Sequence, residues 1–125
     1  MVQQILAIAA GGAVGAVLRF IVSTSVHRVM GKDFPYGTLT VNVLGSLLMG
    51  FFFIMLVERQ ISSIELRSGV LFGILGAFTT FSSFSFETLA LLESGDWGKA
   101  LINVFMSVTC CLLATWIGLG IGRQL

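Results

Sequence analysis

Thr38-Leu-Thr-Val-Asn-Val-Leu-Gly-Ser-Leu-Leu-Met-Gly-Phe-Phe-Phe-Ile-Met-Leu-Val57 contains no charged residue. A helix needs about 20 mostly apolar residues to cross the hydrocarbon of a bilayer, and this stretch has that length. Outward from it, three more segments qualify: Gln4 to Val26, Arg67 to Leu92 and Trp97 to Ile121. The connections are short. His27 to Pro35 is polar and ends in the only proline, which fixes a turn before the second span. Glu58 to Glu65 and Glu93 to Asp96 form the other two, and no soluble domain fits between the spans. The reading is an all-α membrane protein, a single four-helix domain over residues 1–125.

Composition agrees. Hydrophobic residues make up 56% of the chain and charged residues 10%, with a mean hydropathy of +1.00. Seven Lys or Arg and six Asp or Glu cannot cover a soluble globule of this size, which usually carries about a quarter charged residues. A net charge of +1 gives no basic patch for nucleic acid. Cys110 and Cys111 are adjacent in an apolar run with no histidine nearby, so they read as small apolar fillers and not as a bridge or metal site. The N-terminal stretch lacks a basic n-region and is long for a cleaved signal, which favours a retained span.

Glycines fall inside the spans. Gly11 and Gly15, and Gly69 and Gly73, both match G-x-x-x-G, which permits close helix approach in lipid. Charge gives almost no orientation signal. Arg59, Arg67 and Arg123 fall on one side, against Arg28, Lys32 and Lys99 on the other, with Arg19 just inside the first span. Basic loops normally decide insertion, so a chain this balanced can insert both ways and pair as an antiparallel two-fold dimer. The alternative is that Arg19 tips the balance and fixes one orientation.

The third span carries residues that hydrocarbon disfavours. Thr79, Thr80, Ser82, Ser83, Ser85 and Glu87 fall within nine positions. A buried hydroxyl needs a partner, and the helix's own carbonyls are one choice. Two readings stand side by side. Either the helix breaks after Gly76 and its freed carbonyls form an ion site, or it runs on continuously with its serines bonded to its own backbone. Phe81 and Phe84 share a helix face. Their rings are packing in the plain reading; in the functional one their positive edges meet an anion and release it again.

Asn42 offers amide donors, with Ser46 one turn on, and is either interhelical glue or an anion ligand. Asn103, Ser107, Cys111 and Thr115 recur every four residues, a polar stripe that lines a path or bonds a neighbouring helix. Arg19 and Glu87 sit nearer span ends than centres, where snorkelling is the cheap arrangement. An Arg at a pore mouth also concentrates anions. The sequence has no nucleophile–base pair, metal cluster or nucleotide loop, which argues against an enzyme.

Three motifs together carry a family resemblance: Gly11-Gly-Ala-Val-Gly-Ala-Val-Leu-Arg-Phe20, Gly37-Thr-Leu-Thr-Val-Asn-Val-Leu-Gly-Ser46 and Gly76-Ala-Phe-Thr-Thr-Phe-Ser-Ser-Phe-Ser85. Over nearly its whole length the chain resembles the small fluoride channels known as Fluc or CrcB. The resemblance implies an antiparallel, dual-topology homodimer in a microbial plasma membrane. It implies two fluoride pathways, passive export that lowers internal fluoride, and a structural sodium ion at the dimer centre. By position, the backbone carbonyls of Gly76 and Thr79 would hold sodium. Phe81 and Phe84 would supply ring edges and Asn42 an amide donor. Ser82, Ser83, Ser85 and Thr115 would form a polar track, with Arg19 near the vestibule. Two positions depart: Ser83 stands where relatives often have Thr, and Cys111 where a hydroxyl can line the track.

Two other classes fit less well. A small multidrug exporter needs a mid-membrane carboxylate, and the first span has none, with Glu87 in the third. A non-transporting assembly factor would use the same polar residues only to bind neighbouring helices. Selectivity for fluoride over chloride rests on the resemblance, because it is set by sub-ångström geometry and the cost of stripping water.

Overall fold

The computed structural model describes Met1–Leu125 and is entirely helical. Helix α1 is Val2–Met30, and α2 is Tyr36–Phe53, extended by a π-helical turn Ile54–Glu58. Helix α3 covers 64–78 as three joined pieces, Ile64–Ser68, π-helical Gly69–Leu75 and Gly76–Phe78. Helix α4 is Phe81–Glu93 and α5 is Trp97–Gln124. Together α3 and α4 occupy the third span, so four stretches are long and apolar enough to cross a membrane: Val2–Met30, Tyr36–Glu58, Ile64–Glu93 and Trp97–Gln124.

Each stretch runs a few residues past the apolar run that marks it in the sequence. The first continues through His27 and Arg28 and stops at Gly31, whose φ of 90° is a conformation other residues rarely adopt. Pro35 then precedes α2. Ser63 begins α3 as an N-cap, its Oγ accepting from the Leu66 N–H at 3.2 Å.

The molecule is assembled along two glycine seams. On the first, α1 packs on the π-helical part of α3. A Cβ on Gly11 would collide with the Gly69 carbonyl, one on Gly15 with the Ile74 carbonyl, and one on Gly73 would sit 2.9 Å from the Ile8 carbonyl. The two G-x-x-x-G pairs therefore face one another. On the second seam, α2 and α5 form the most extensive helix pair, with Gly50 against the Thr115 carbonyl and Gly118 against the Leu47 carbonyl. Between helices in lipid there is little hydrophobic drive, so close backbone packing supplies much of the attraction.

Few side chains are fully enclosed. Only 21 of 125 residues are buried, Val41, Ile54, Leu75 and Phe78 among them, while Phe72, Phe105 and Trp116 lie on the outside. A water-soluble fold of this size would bury such rings; a bilayer takes them as its own kind. Helix α4 has no buried residue at all.

Gly118→Val is expected to cost about 1–3 kcal/mol or more, since the colliding atoms are backbone and cannot swing aside. Gly120→Ala, at a glycine with open space around it, is expected to be neutral. Thermal unfolding in detergent checks both. Equal midpoints for the two variants would contradict the seam.

Candidate functional site

At the midpoint of the third span the backbone leaves helical geometry. Thr79 has φ −83° and ψ 157°, Thr80 has φ −151° and ψ 113°, and helix resumes at Phe81. In a continuous helix the Thr80 N–H would bond the Gly76 carbonyl. Here it donates to Asn42 Oδ1 at 2.7 Å, and Asn42 Nδ2 donates back to the Thr80 carbonyl at 3.0 Å. One side chain of α2 thus answers both backbone groups of one residue. The Thr80 hydroxyl caps α4, accepting from the Ser83 N–H at 3.2 Å and donating to Ser83 Oγ at 3.1 Å.

A groove of about 430 Å³ opens on one side of this interruption, between α2, α4 and α5. It brings together Asn42, Thr79, Phe81, Phe84 and Thr115, along with Ser46, Ser107 and Cys111. The two rings lie 5.3 Å apart at 47°, Phe81 being 78% exposed. Asn42 has one amide hydrogen committed to Thr80, which leaves the second for a ligand. Thr115 Oγ1 shares its single proton between the carbonyls of Cys111 at 3.0 Å and Ser46 at 3.3 Å, so its donor is committed within the protein.

The polar stripe of α5 divides. Asn103 donates to Thr88 Oγ1 at 2.9 Å and accepts from Ser107 at 3.4 Å, fastening α5 to α4, while Ser107, Cys111 and Thr115 line the groove. Cys111 is therefore part of the groove wall and more than apolar filling.

On the other side of the interruption a smaller cavity of about 250 Å³ holds Arg19, Ser83, Thr38 and Glu87. Neither ionisable group snorkels away from the protein. Arg19 turns inward, one guanidinium nitrogen 3.5 Å from the Thr79 carbonyl, the long limit of a hydrogen bond. Thr38 Oγ1 donates to Glu87 Oε1 at 2.7 Å, and Oε2 is buried and meets no protein donor. Ser83 thus faces a different cavity from Thr115. Ser82 and Ser85 lie exposed on α4, Ser85 bonded to the Phe81 carbonyl at 3.0 Å and Ser82 beside Thr80 Oγ1 at 3.3 Å. The four hydroxyls named from sequence as one track are distributed over three settings within this single chain.

Two participants escaped the sequence reading as site residues. Thr80 was signalled by its spacing to Ser83, the interval at which a hydroxyl caps a helix start. Thr38 carried no signal, since its role depends on where α4 brings Glu87.

Four spans and a largely apolar groove that carries a few polar groups at mid-span define a small multi-pass membrane protein with a solute-sized recess between its helices. Comparison with known proteins narrows this. Residues 6–119 match the family described as "CrcB-like protein, Camphor Resistance (CrcB)", and the chain belongs to that family. It is 52% identical over 122 residues to a "Fluoride-specific ion channel FluC" of Methylococcus capsulatus, covering 98% of this chain and 54% of that protein. A protein of the same description from Magnetococcus marinus is 50% identical, with 97% and 98% covered. Another from Hydrogenovibrio crunogenus is 47% identical, with 98% and 93% covered. The chain thus spans about half of the first relative and nearly all of the other two.

Thr80→Val is expected to destabilise the fold by about 1 kcal/mol through loss of the cap, and Thr80→Ser to leave it unchanged. Unfolding midpoints in detergent check this. A Val variant as stable as the Ser variant would remove the capping role.

Proposed function

We propose that the chain is a fluoride-selective channel that lets cytoplasmic fluoride leave passively down its electrochemical gradient. The observation that carries this is the groove, whose lining brings the free amide hydrogen of Asn42 and the rings of Phe81 and Phe84 together with no fixed charge among them. Such a lining attracts a small anion without holding it fast, which conduction requires. The names of the relatives supply the identity of the ion.

In this reading Arg19 draws anions toward the entrance by its field. Asn42 donates its free N–H, and the edges of Phe81 and Phe84 replace part of the hydration shell. Of the proposed hydroxyl track, Thr115 lies in this groove, while Ser82, Ser83 and Ser85 lie outside it in the single chain and would join the track across a second copy. The working unit is an antiparallel, dual-topology homodimer with two pathways. Exposed Phe81, and α4 with no side chain buried in its own chain, favour a second copy that completes each pathway.

The reading also includes a structural sodium ion at the dimer centre, held by the carbonyls of Gly76 and Thr79 from each subunit. Gly76's carbonyl fits it, having given up its helical partner because Thr80's N–H goes to Asn42, and carbonyl oxygens suit a hard cation. The Thr79 carbonyl, approached by the Arg19 guanidinium at 3.5 Å, would have to exchange that contact for sodium. When bound, sodium supplies a fixed positive charge that locks two chains together.

Phe81→Ile and Phe84→Ile are each expected to cut fluoride flux at least about tenfold, the scale of about 1.4 kcal/mol in a barrier, while the protein still dimerises. Flux equal to the parent in both would sink the ring-edge role. A cysteine-reactive or epitope tag at the C-terminus is expected to be reachable from both membrane faces of whole cells. Labelling from one face alone would refute dual insertion.

A further inference from the structure

An anion donor needs one N–H, yet Asn42 commits most of its amide to the backbone of a single residue. Its Oδ1 takes the Thr80 N–H at 2.7 Å and its Nδ2 bonds the Thr80 carbonyl at 3.0 Å. This reciprocal exchange is what two peptide groups make across a ladder, so the side chain serves as a substitute strand one residue long. Thr80 is buried, so leaving either of its backbone groups unpaired would be costly.

A second observation lies one helical turn further along α2. Gly45 is on the same face as Asn42, and a Cβ there would collide with Thr79 Cγ2 and stand 3.2 Å from Phe78 Cδ1. The missing side chain lets the extended residues lie against α2, which is what brings Thr80 within reach of Asn42. An amide and a glycine three residues apart thus form one seat for the two residues that leave the helix.

We propose that Asn42, seated by Gly45, is the positioning residue that holds the third span open at Thr79 and Thr80. Diverting the Thr80 N–H to Asn42 is what releases the Gly76 carbonyl. This role is additional to anion donation. Its sodium consequence rests on the proposed function, whereas the backbone consequence does not. Losing Asn42 therefore disturbs the carbonyl pair as well as the anion groove.

The test uses the purified full-length protein in detergent, with Asn42→Ala, Asn42→Asp and Gly45→Ala. Amide hydrogen exchange is followed in the peptide covering residues 76–84. Exchange there is expected to be about tenfold faster in Asn42→Ala and intermediate in Asn42→Asp, which keeps an acceptor for the Thr80 N–H but sets its second oxygen against the Thr80 carbonyl. Gly45→Ala leaves the amide intact but displaces Thr79, and is expected to behave like Asn42→Ala; it serves if that variant does not fold. Unchanged or slower exchange in both overturns the proposal.

The second readout is the melting midpoint with sodium against choline. Sodium is expected to raise it in the parent but not in Asn42→Ala. Sodium stabilisation retained in Asn42→Ala, with fluoride flux lost, overturns the positioning role and leaves Asn42 an anion donor only. A parent protein indifferent to sodium would remove the sodium reading instead, and the exchange result alone would then decide the clamp.

Discussion

A peptide group in hydrocarbon must find its hydrogen bonds inside the protein, because the surroundings offer none. Continuous helix satisfies this automatically, and wherever the chain leaves helix something else has to. Thr79 and Thr80 leave it at the centre of the third span. The polar side chains gathered there are largely the answer: Asn42 for the backbone of Thr80, the Thr80 hydroxyl for the start of α4, and Arg19 beside the Thr79 carbonyl. Asn42 and Thr80 also line the groove, whereas Arg19 lies in the cavity on the other side of the interruption. Backbone satisfaction and the chemistry of the recess are thus two results of one arrangement.

That arrangement depends on how closely the other helices approach. Backbone-to-backbone contact along Gly11, Gly15 and Gly73 fixes α1 on α3, and contact along Gly50 and Gly118 fixes α2 on α5. With α2 held in this way, Asn42 reaches across to Thr80, and Thr115 reaches back to the Ser46 carbonyl. By contrast α4 touches its neighbours lightly and presents its rings outward. The rigid seams and the bare helix meet at the groove, so its inner wall is built by this chain and its outer wall is open.

The spans were legible because runs of about 20 apolar residues have few other uses. Their ends were less so: backbone hydrogen bonding carries α1 through His27 and Arg28, and only the positive φ of Gly31 stops it. Asn42, Phe81, Phe84 and Thr115 were singled out as polar or aromatic residues with a ligand chemistry, and they do line one recess. The serines were harder. Two extended residues reset the rotation of α4 relative to α3, so a face counted onward from Gly76 does not indicate where Ser82, Ser83 or Ser85 will point. Cys111 looked like filler beside Cys110 in an apolar run, and its four-residue spacing to Ser107 and Thr115 says which residues share a face, but not which space that face borders.

The central claim is that this groove conducts fluoride, and the most direct measurement is anion efflux from liposomes reconstituted with the purified protein, followed with a fluoride electrode and then a chloride electrode. The account requires fast fluoride release with chloride retained. Fluoride held inside by vesicles that contain the folded protein would contradict it, and would leave the polar residues at Thr79 and Thr80 as helix-joining groups alone.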